Sequence, residues 1–398
     1  MQLRSTVILV ALALTACASK TPDTAPPTTP EPVAETPEAE PVAPIPAGWL
    51  VVTPQIAVKD VDAAIKFYVD ALGGEKVMAM ANDAGQTFHG EVRFGDSLVM
   101  IDLENEGLKA PETVGGTPAT LMLYVPDAGE IFDAAVAAGA TAEMPVDEQF
   151  WGDRFGVFVD PSGHRWAVAT HVTDLTDEEM QQRTELMMAE MAPPEGKKKK
   201  KKKKKKKNAE PAWKQVAGTP ATQAVPADYH TLNISMTMND ASAAVEHYTT
   251  VFGATERERM ALPDGKLMHA EVQFGDTVLM FSDALDPKHI SPDKLQGWPI
   301  MLHYYVEDVD AAVDKVVGGG GKAIMPVTDM FWGDRYGAVF DGVGVPWGIA
   351  THVEDVPEDQ MAERMKKQMA EMEAAGAEGG APADAAAPAD AAAPPVAN

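Results

Sequence analysis

The chain has 398 residues, 45% of them hydrophobic, and a formal net charge of −27. That length exceeds one compact domain, and the apolar content suffices for more than one core. Eleven of the 33 basic residues form one run, Lys197 to Lys207, leaving 22 basic against 60 acidic residues elsewhere; folded parts so acidic repel phosphate, which argues against nucleic acid as a partner.

From the N-terminus, residues 1–17 read MQLRSTVILVALALTAC. Arg4 precedes an apolar run, Val7 to Leu14, that is too short to span a bilayer as a permanent helix but has the layout of a secretory signal. The LTAC ending resembles a bacterial lipobox, in which Cys17, the single cysteine of the chain, carries the lipid. This resemblance implies a lipoprotein held to the membrane by its N-terminal lipid. Ala18 after the cysteine, rather than an aspartate, implies the outer membrane and a periplasm-facing chain. An ordinary signal peptide with an incidental cysteine is the plainer alternative. With no second cysteine there is no disulfide, and stability must come from packing. Residues 18–46 are rich in Pro, Thr, Ala and Glu without periodicity, and are expected to form a disordered tether.

A first strand is predicted at TPQIAV, then a helix over DVDAAIKFYVDAL capped by Asp60 and ended by Gly73-Gly74, then strands HGEVRF and SLVMID around Gly95-Asp96. Val125-x-Asp127 opens a second helical run, and Met238-x-Asp240 and Val306-x-Asp308 open two more. The long repeat behind this pattern is plain. His89-Gly90-Glu91-Val92 returns as His269-Ala270-Glu271-Val272 at an offset of 180, and FWGDRFG, Phe150 to Gly156, returns as FWGDRYG, Phe331 to Gly337, at 181. The expected architecture is α+β: four βαβββ units paired into two domains, residues 47–191 and 228–373. A Lys-rich linker (192–227) separates them and a disordered Ala/Pro tail (374–398) follows. The lysine run reads as an extended linker; the sharper alternatives are contact with the acidic domains or with anionic headgroups, at about 1 kcal/mol per residue near a surface. Each domain is expected to end in a helix, with a capping box at Thr176 to Glu179 and Pro357 in the first turn of its counterpart. Met361, Met365, Met369 and Met372 fall at helical spacing as a packing stripe.

The motifs HAEV-x-FGD, FWGDR-[FY]-G, Asp160-Pro161-x-Gly163 and W-x-x-ATHV resemble the vicinal oxygen chelate superfamily of glyoxalase I, bleomycin- and fosfomycin-resistance proteins and extradiol dioxygenases, within it the PhnB-like branch. The resemblance spans both repeats and implies that βαβββ units curl in pairs into open eight-stranded barrels with a site on the concave face. It also implies metal ligands five residues before the Val of V-x-D and four after the Gly of D-P-x-G. Those positions and their counterparts hold Thr53, Met100, Thr120 and Ala167 in the first repeat, and Asn233, Met280, Met301 and Gly348 in the second. Such side chains are not donors for a divalent ion with open coordination. No cofactor is therefore expected, a divalent metal at an unconventional site being the alternative.

Strand alternation assigns faces. Asn233, Ser235 and Thr237 face the cavity while Ile234, Met236 and Met238 face the covering helix; by the same rule Thr53 and Gln55 point inward on their strand. His89 and Glu91 point in together, as do His269 and Glu271, and these four are the catalytic candidates, each pair acting as general base, metal pair or structural hydrogen bond. Tyr124, His303 and Tyr305 line the pocket from the facing strands, and His171 and His352 lie near strand ends as pocket groups or helix anchors. In FWGDR, Trp151, Asp153 and Phe155 share a face. Either Trp151 (and Trp332) walls the pocket with Arg154 (and Arg335) on an anionic substrate group, or Asp153 and Arg154 form an ion pair that pins the loop.

Three functions remain open on the sequence: a module binding a small molecule without the usual metal, a lyase-, isomerase- or resistance-type enzyme, and an envelope scaffold. The two domains either close separately or dock as an intramolecular pseudo-dimer.

Overall fold

The computed structural model describes residues 42–191, 210–285 and 289–378. The signal and lipobox, most of the tether, the lysine run and the tail beyond residue 378 lie outside them. Among the described residues no helix is long and apolar enough to cross a membrane.

Four βαβββ units are present. Unit one comprises β1 (Val52–Val58), α1 (Val61–Leu72), β2 (Glu75–Ala81), β3 (Thr87–Phe94) and β4 (Ser97–Leu103). After a short helix α2 (Pro111–Val114), unit two follows as β5 (Ala119–Tyr124), α3 (Ala128–Ala137), β6 (Thr141–Glu148), β7 (Asp153–Val159) and β8 (Arg165–His171). Next come β9 (Thr173–Asp174), helix α4 (Asp177–Met191) and β10 (Thr219–Pro220). Unit three is β11 (Leu232–Met238), α5 (Ala241–His247, continued by a π-turn over Tyr248–Phe252), β12 (Thr255–Ala261), β13 (Leu267–Phe274) and β14 (Thr277–Asp283). Unit four is β15 (Ile300–Tyr305), α6 (Val309–Gly318), β16 (Lys322–Asp329), β17 (Asp334–Phe340) and β18 (Pro346–His352), before the last helix α7 (Glu358–Glu378).

Local chemistry sets the helix starts. Asp60 accepts from the Ala63 amide at 2.9 Å, and Asp127, Asp240 and Asp308 cap the other unit helices in the same way. The capping box at α4 is reciprocal: the Thr176 amide donates to Glu179 at 2.9 Å and the Glu179 amide to the Thr176 hydroxyl at 3.3 Å.

The units do not pair within their own repeats. One eight-stranded sheet runs β16-β17-β18-β15-β1-β4-β3-β2, joining unit four to unit one, and the other runs β12-β13-β14-β11-β5-β8-β7-β6, joining unit three to unit two. The seams are antiparallel, with Thr53 opposite His303 on β1 and β15 and Ser235 opposite Thr120 on β11 and β5. Each repeat thus contributes half of both sheets, and the eight-stranded sheets are not coextensive with residues 47–191 and 228–373. What holds a repeat together instead is its helix side. Tyr68 on α1 donates to Asp160 at 2.7 Å, and the indole of Trp166 on β8 donates to the same carboxylate at 3.0 Å. Tyr68, Trp166 and Phe94 pack ring to ring there, and Tyr248, Trp347 and Phe274 do so in the second repeat. Units of one repeat therefore stand back to back across a shared core that takes side chains from all four units. Their free edges, β1 and β5, are each completed by the other repeat.

Three segments are more ordered than the sequence predicts. Pro44 of the tether accepts from the His352 amide at 3.0 Å. In the linker, Trp213 is buried under the Arg183 guanidinium, 5.5 Å from its ring centre, because an indole next to a cation gains more by docking than by solvation. The last helix runs on to Glu378, since the Ala/Glu-rich sequence after residue 373 favours helix. Its methionine stripe is half-buried at Met361 and Met365 and leaves Met369 57% exposed.

Candidate functional site

Each sheet presents a concave face built half from each repeat. Alternation places the side chains as expected: Ile234, Met236, Val92 and Phe94 enter the helix-side core, while His89, Glu91, His269 and Glu271 take the opposite face. The customary ligand positions divide between the two clefts, Thr53, Met100, Met301 and Gly348 on the first sheet and Thr120, Ala167, Asn233 and Met280 on the second. A hydroxyl, thioethers, an amide and small apolar groups are no donor set for a catalytic divalent ion in either cleft.

The FWGDR aspartates are buried hubs. Asp153, 1% exposed, accepts from the Tyr124 hydroxyl at 2.9 Å and the Trp151 indole at 3.0 Å, and is bonded to His171 Nδ1 at 2.8 Å. Asp334 repeats this arrangement with Tyr305, Trp332 and His352 at 2.9, 3.0 and 2.8 Å. The outer nitrogens of His171 and His352 meet Asp174 and Asp355 at 2.9 and 3.0 Å, so both histidines anchor the chain leaving their strands. The bond to Asp153 raises the pKa of His171; at His352 burial works downward, but the bonds to Asp334 and Asp355 prevail and raise it. The Asp153–Arg154 ion pair, one of the two alternatives for the motif, is absent, because successive strand residues point to opposite faces. Arg154 lies 3.6 Å from Asp127, and Arg335 pairs with Asp310 and Asp329 at 2.6 and 3.0 Å, all at the exposed side. Neither arginine reaches a cleft, and an anion-binding role for them is withdrawn.

The first-sheet cleft is filled. Trp49 packs on His303 and Tyr305 at ring distances of 6.1 and 5.7 Å, and Tyr336 stacks on His303 at 5.8 Å. The Tyr336 hydroxyl lies over Gly348, where any Cβ would collide with it. His89 Nδ1 is bonded to Asp102 at 2.6 Å and its Nε2 lies 3.6 Å from Glu91. Burial alone would lower the pKa of His89; the bonds to Asp102 and Glu91 outweigh it and hold it at about 9. Gln55 also donates to Asp102. His303, 5% exposed and with no partner for Nε2 among the described residues, is pushed down to about 4 by burial.

The second-sheet cleft is open, about 910 Å³, and lined by Tyr124, Trp151, Phe155, Met122 and Met280 together with Tyr229, His269 and Glu271. Asn233 turns aside, its amide donating to the His230 carbonyl at 2.7 Å. Glu271, 3% exposed, is the polar focus: His269 Nε2 lies 3.0 Å from Oε1, the Tyr229 hydroxyl donates to the same oxygen, and Arg257 Nε is 3.7 Å from Oε2. Burial favours its protonated form, yet the His269 and Tyr229 bonds win and keep its carboxyl below the usual range. A bulge between Glu256 and Glu258 interrupts β12 and sets Glu258 directly opposite Glu271.

Of the sequence candidates, the structure gathers Tyr124, Trp151, His171, His269 and Glu271 in the open cleft, and Thr53, Gln55, His89, Glu91, His303, Tyr305, Trp332 and His352 on the filled face. Sequence reading overlooked Asp102, Trp49, Tyr229, Arg257 and Glu258. Asp102 was within reach, since it shares the inward parity of Met100 on β4.

A profile of the Glyoxalase/Bleomycin resistance protein/Dioxygenase superfamily matches residues 48–168 and 230–349. An uncharacterized protein of Mycobacterium tuberculosis is 32% identical over 161 residues, which is 39% of this chain and 92% of that protein. An uncharacterized protein of Mycobacterium bovis is 33% identical over 141 residues, 34% of this chain and 93% of its own. Among solved structures, glyoxalase I from Zea mays aligns over 80% of this chain and 95% of its own with a TM-score of 0.50 at 12% identity, a likeness of fold. With the family's profile found twice and its four-unit architecture present, the chain belongs to the glyoxalase/bleomycin resistance/dioxygenase superfamily.

Proposed function

We propose that this protein binds a small molecule in the second-sheet cleft, the first-sheet cleft serving as packed support. The observation that carries the reading is the inequality of the two faces. One is open and lined by rings, thioethers and the Tyr229–Glu271–His269 set, and the other is plugged by Trp49, Tyr336 and His303. A mostly apolar concave site with a few convergent polar groups is the usual form of a ligand pocket. The ligand class that fits has a planar or aliphatic body and a hydrogen-bonding head for Glu271 and Arg257. A thermal-shift screen of such compounds on the full chain tests this. Hits are expected to vanish in Ala167→Phe, which projects a ring into the open cleft, and to persist in Trp49→Ala; hits insensitive to Ala167→Phe overturn the reading.

An enzyme of the same superfamily is the second reading, favoured by the contact of His269 with Glu271 inside that cleft. Binding is preferred because Oε1 of Glu271 is already engaged by both His269 and Tyr229.

We further place the chain, on residues 1–17 alone, in the outer membrane as a periplasm-facing lipoprotein attached through Cys17. Labelled palmitate is expected to enter the wild-type chain and not Cys17→Ser; incorporation into both refutes the assignment.

A further inference from the structure

We propose that Glu258, His269 and Glu271 form a divalent-cation site for a first-row transition ion in the second-sheet cleft, away from the positions the family ordinarily uses. The proposal rests on the reading of that cleft as the working one. One ligand atom from each of the three side chains lies within 4.8 Å of the other two. The set is one imidazole and two carboxylates, a donor mixture suited to Mn²⁺ or Zn²⁺, and three protein ligands leave coordination positions open toward the cavity.

The strand geometry explains why the cluster exists and why it is under-neutralised. The β12 bulge places Glu258 across the ladder from Glu271. Like charges directly opposite each other on adjacent strands repel, and one of these two is almost wholly buried. Arg257 answers only in part: it stands 3.7 Å from Glu271 while bonding Asp228 and Gln273 at 3.0 Å each. A cation between the glutamates removes that repulsion.

The first sheet supplies an internal control. There the residue opposite Glu91 is Met78, not a glutamate. His89 is drawn by Nδ1 onto Asp102, whereas the residue corresponding to Asp102 beside His269 is Ser282, and His269 turns Nε2 toward Glu271 instead. The same His-x-Glu motif is thus arranged as a closed hydrogen-bond chain in one cleft and as part of a three-donor cluster in the other.

The test is a Mn²⁺ titration of the metal-stripped full chain, read by loss of the free-ion paramagnetic resonance signal, with excess Mg²⁺ to occupy surface carboxylates. The expected result is one tight Mn²⁺ per chain, weakened at least tenfold by Glu258→Gln and by His269→Gln and unaffected by Glu91→Gln. Glu258 is exposed, so its variant is expected to fold. Absence of tight binding, or an unchanged affinity in Glu258→Gln, overturns the proposal. If Mn²⁺ fails to bind while screening hits still depend on Ala167, only the cation site falls and the small-molecule reading stands; if Mn²⁺ binds as expected but no hit depends on Ala167, the reverse holds.

Discussion

Asp153 and Arg154 are neighbours in sequence with opposite structural fates, and replacing each by alanine separates them. Asp153→Ala removes the acceptor of Tyr124, Trp151 and His171 in one step. The Tyr124 hydroxyl is buried and loses its partner, at about 2 kcal/mol for an unsatisfied buried donor. Trp151 is half-buried and recovers part of its bonding from water, and His171 keeps its bond to Asp174, so each adds about 1 kcal/mol. The expected loss is therefore about 3–4 kcal/mol. Arg154→Ala breaks an exposed contact of 3.6 Å with Asp127, and pairs of that kind contribute about 0–1 kcal/mol. Urea unfolding followed by circular dichroism measures both, a shift of midpoint at constant slope reporting stability alone. Equal losses for the two variants, or a loss below about 1 kcal/mol for Asp153→Ala, refute the assignment of the motif as a buried pin.

Three further outcomes are expected. The raised pKa of His89, about 9, contributes stability that is fully present below its unfolded value and is lost as pH rises through the folded one; Asp102→Asn should lower that pKa in a histidine NMR titration and destabilise more at about pH 6 than at about pH 10. Gly333 has a φ of 98° and a Cβ there would collide with the Glu354 carbonyl oxygen, so Gly333→Ala should cost more than about 2 kcal/mol in thermal unfolding. Trypsin cleavage within Lys197 to Lys207 should give two fragments that co-elute on size exclusion, because both sheets contain strands from each side of the cut; separation of intact halves contradicts the exchanged pairing.

The readable part of this molecule is the part governed by short-range periodicity. Period-two alternation put His89 and Glu91 on one face and Val92 and Phe94 on the other, and the aspartates of V-x-D became helix caps because that residue type accepts from the first-turn amides. Unit pairing was not readable for a definite reason. The seam strands β1, β5, β11 and β15 carry the same alternation, so any of them presents an acceptable edge to another, and the choice depends on how the helices of one repeat pack back to back. The ion-pair alternative for Asp153 and Arg154 failed on a rule already in hand, since strand neighbours diverge. Glu258 was hidden differently: only a bulge brings it opposite Glu271, and a bulge adds a residue without leaving a compositional mark.

The exchanged pairing also bears on how two clefts of common ancestry came to differ. In a dimer of identical chains every substitution appears in both sites, and the two stay equivalent by symmetry. Here the first-sheet cleft is made by units one and four and the second by units two and three, so a change in any unit alters one cleft only. Trp49, Asp102, His303 and Tyr336 close one side, where the corresponding residues Tyr229, Ser282, Met122 and Phe155 leave the other open. The filled side need not lose value by closing: it binds unit four to unit one through buried rings, and that seam helps fix the placement of units two and three through the shared core. Duplication within one chain therefore lets packing and binding, which make opposing demands on a concave sheet, be met by different copies of the same fold.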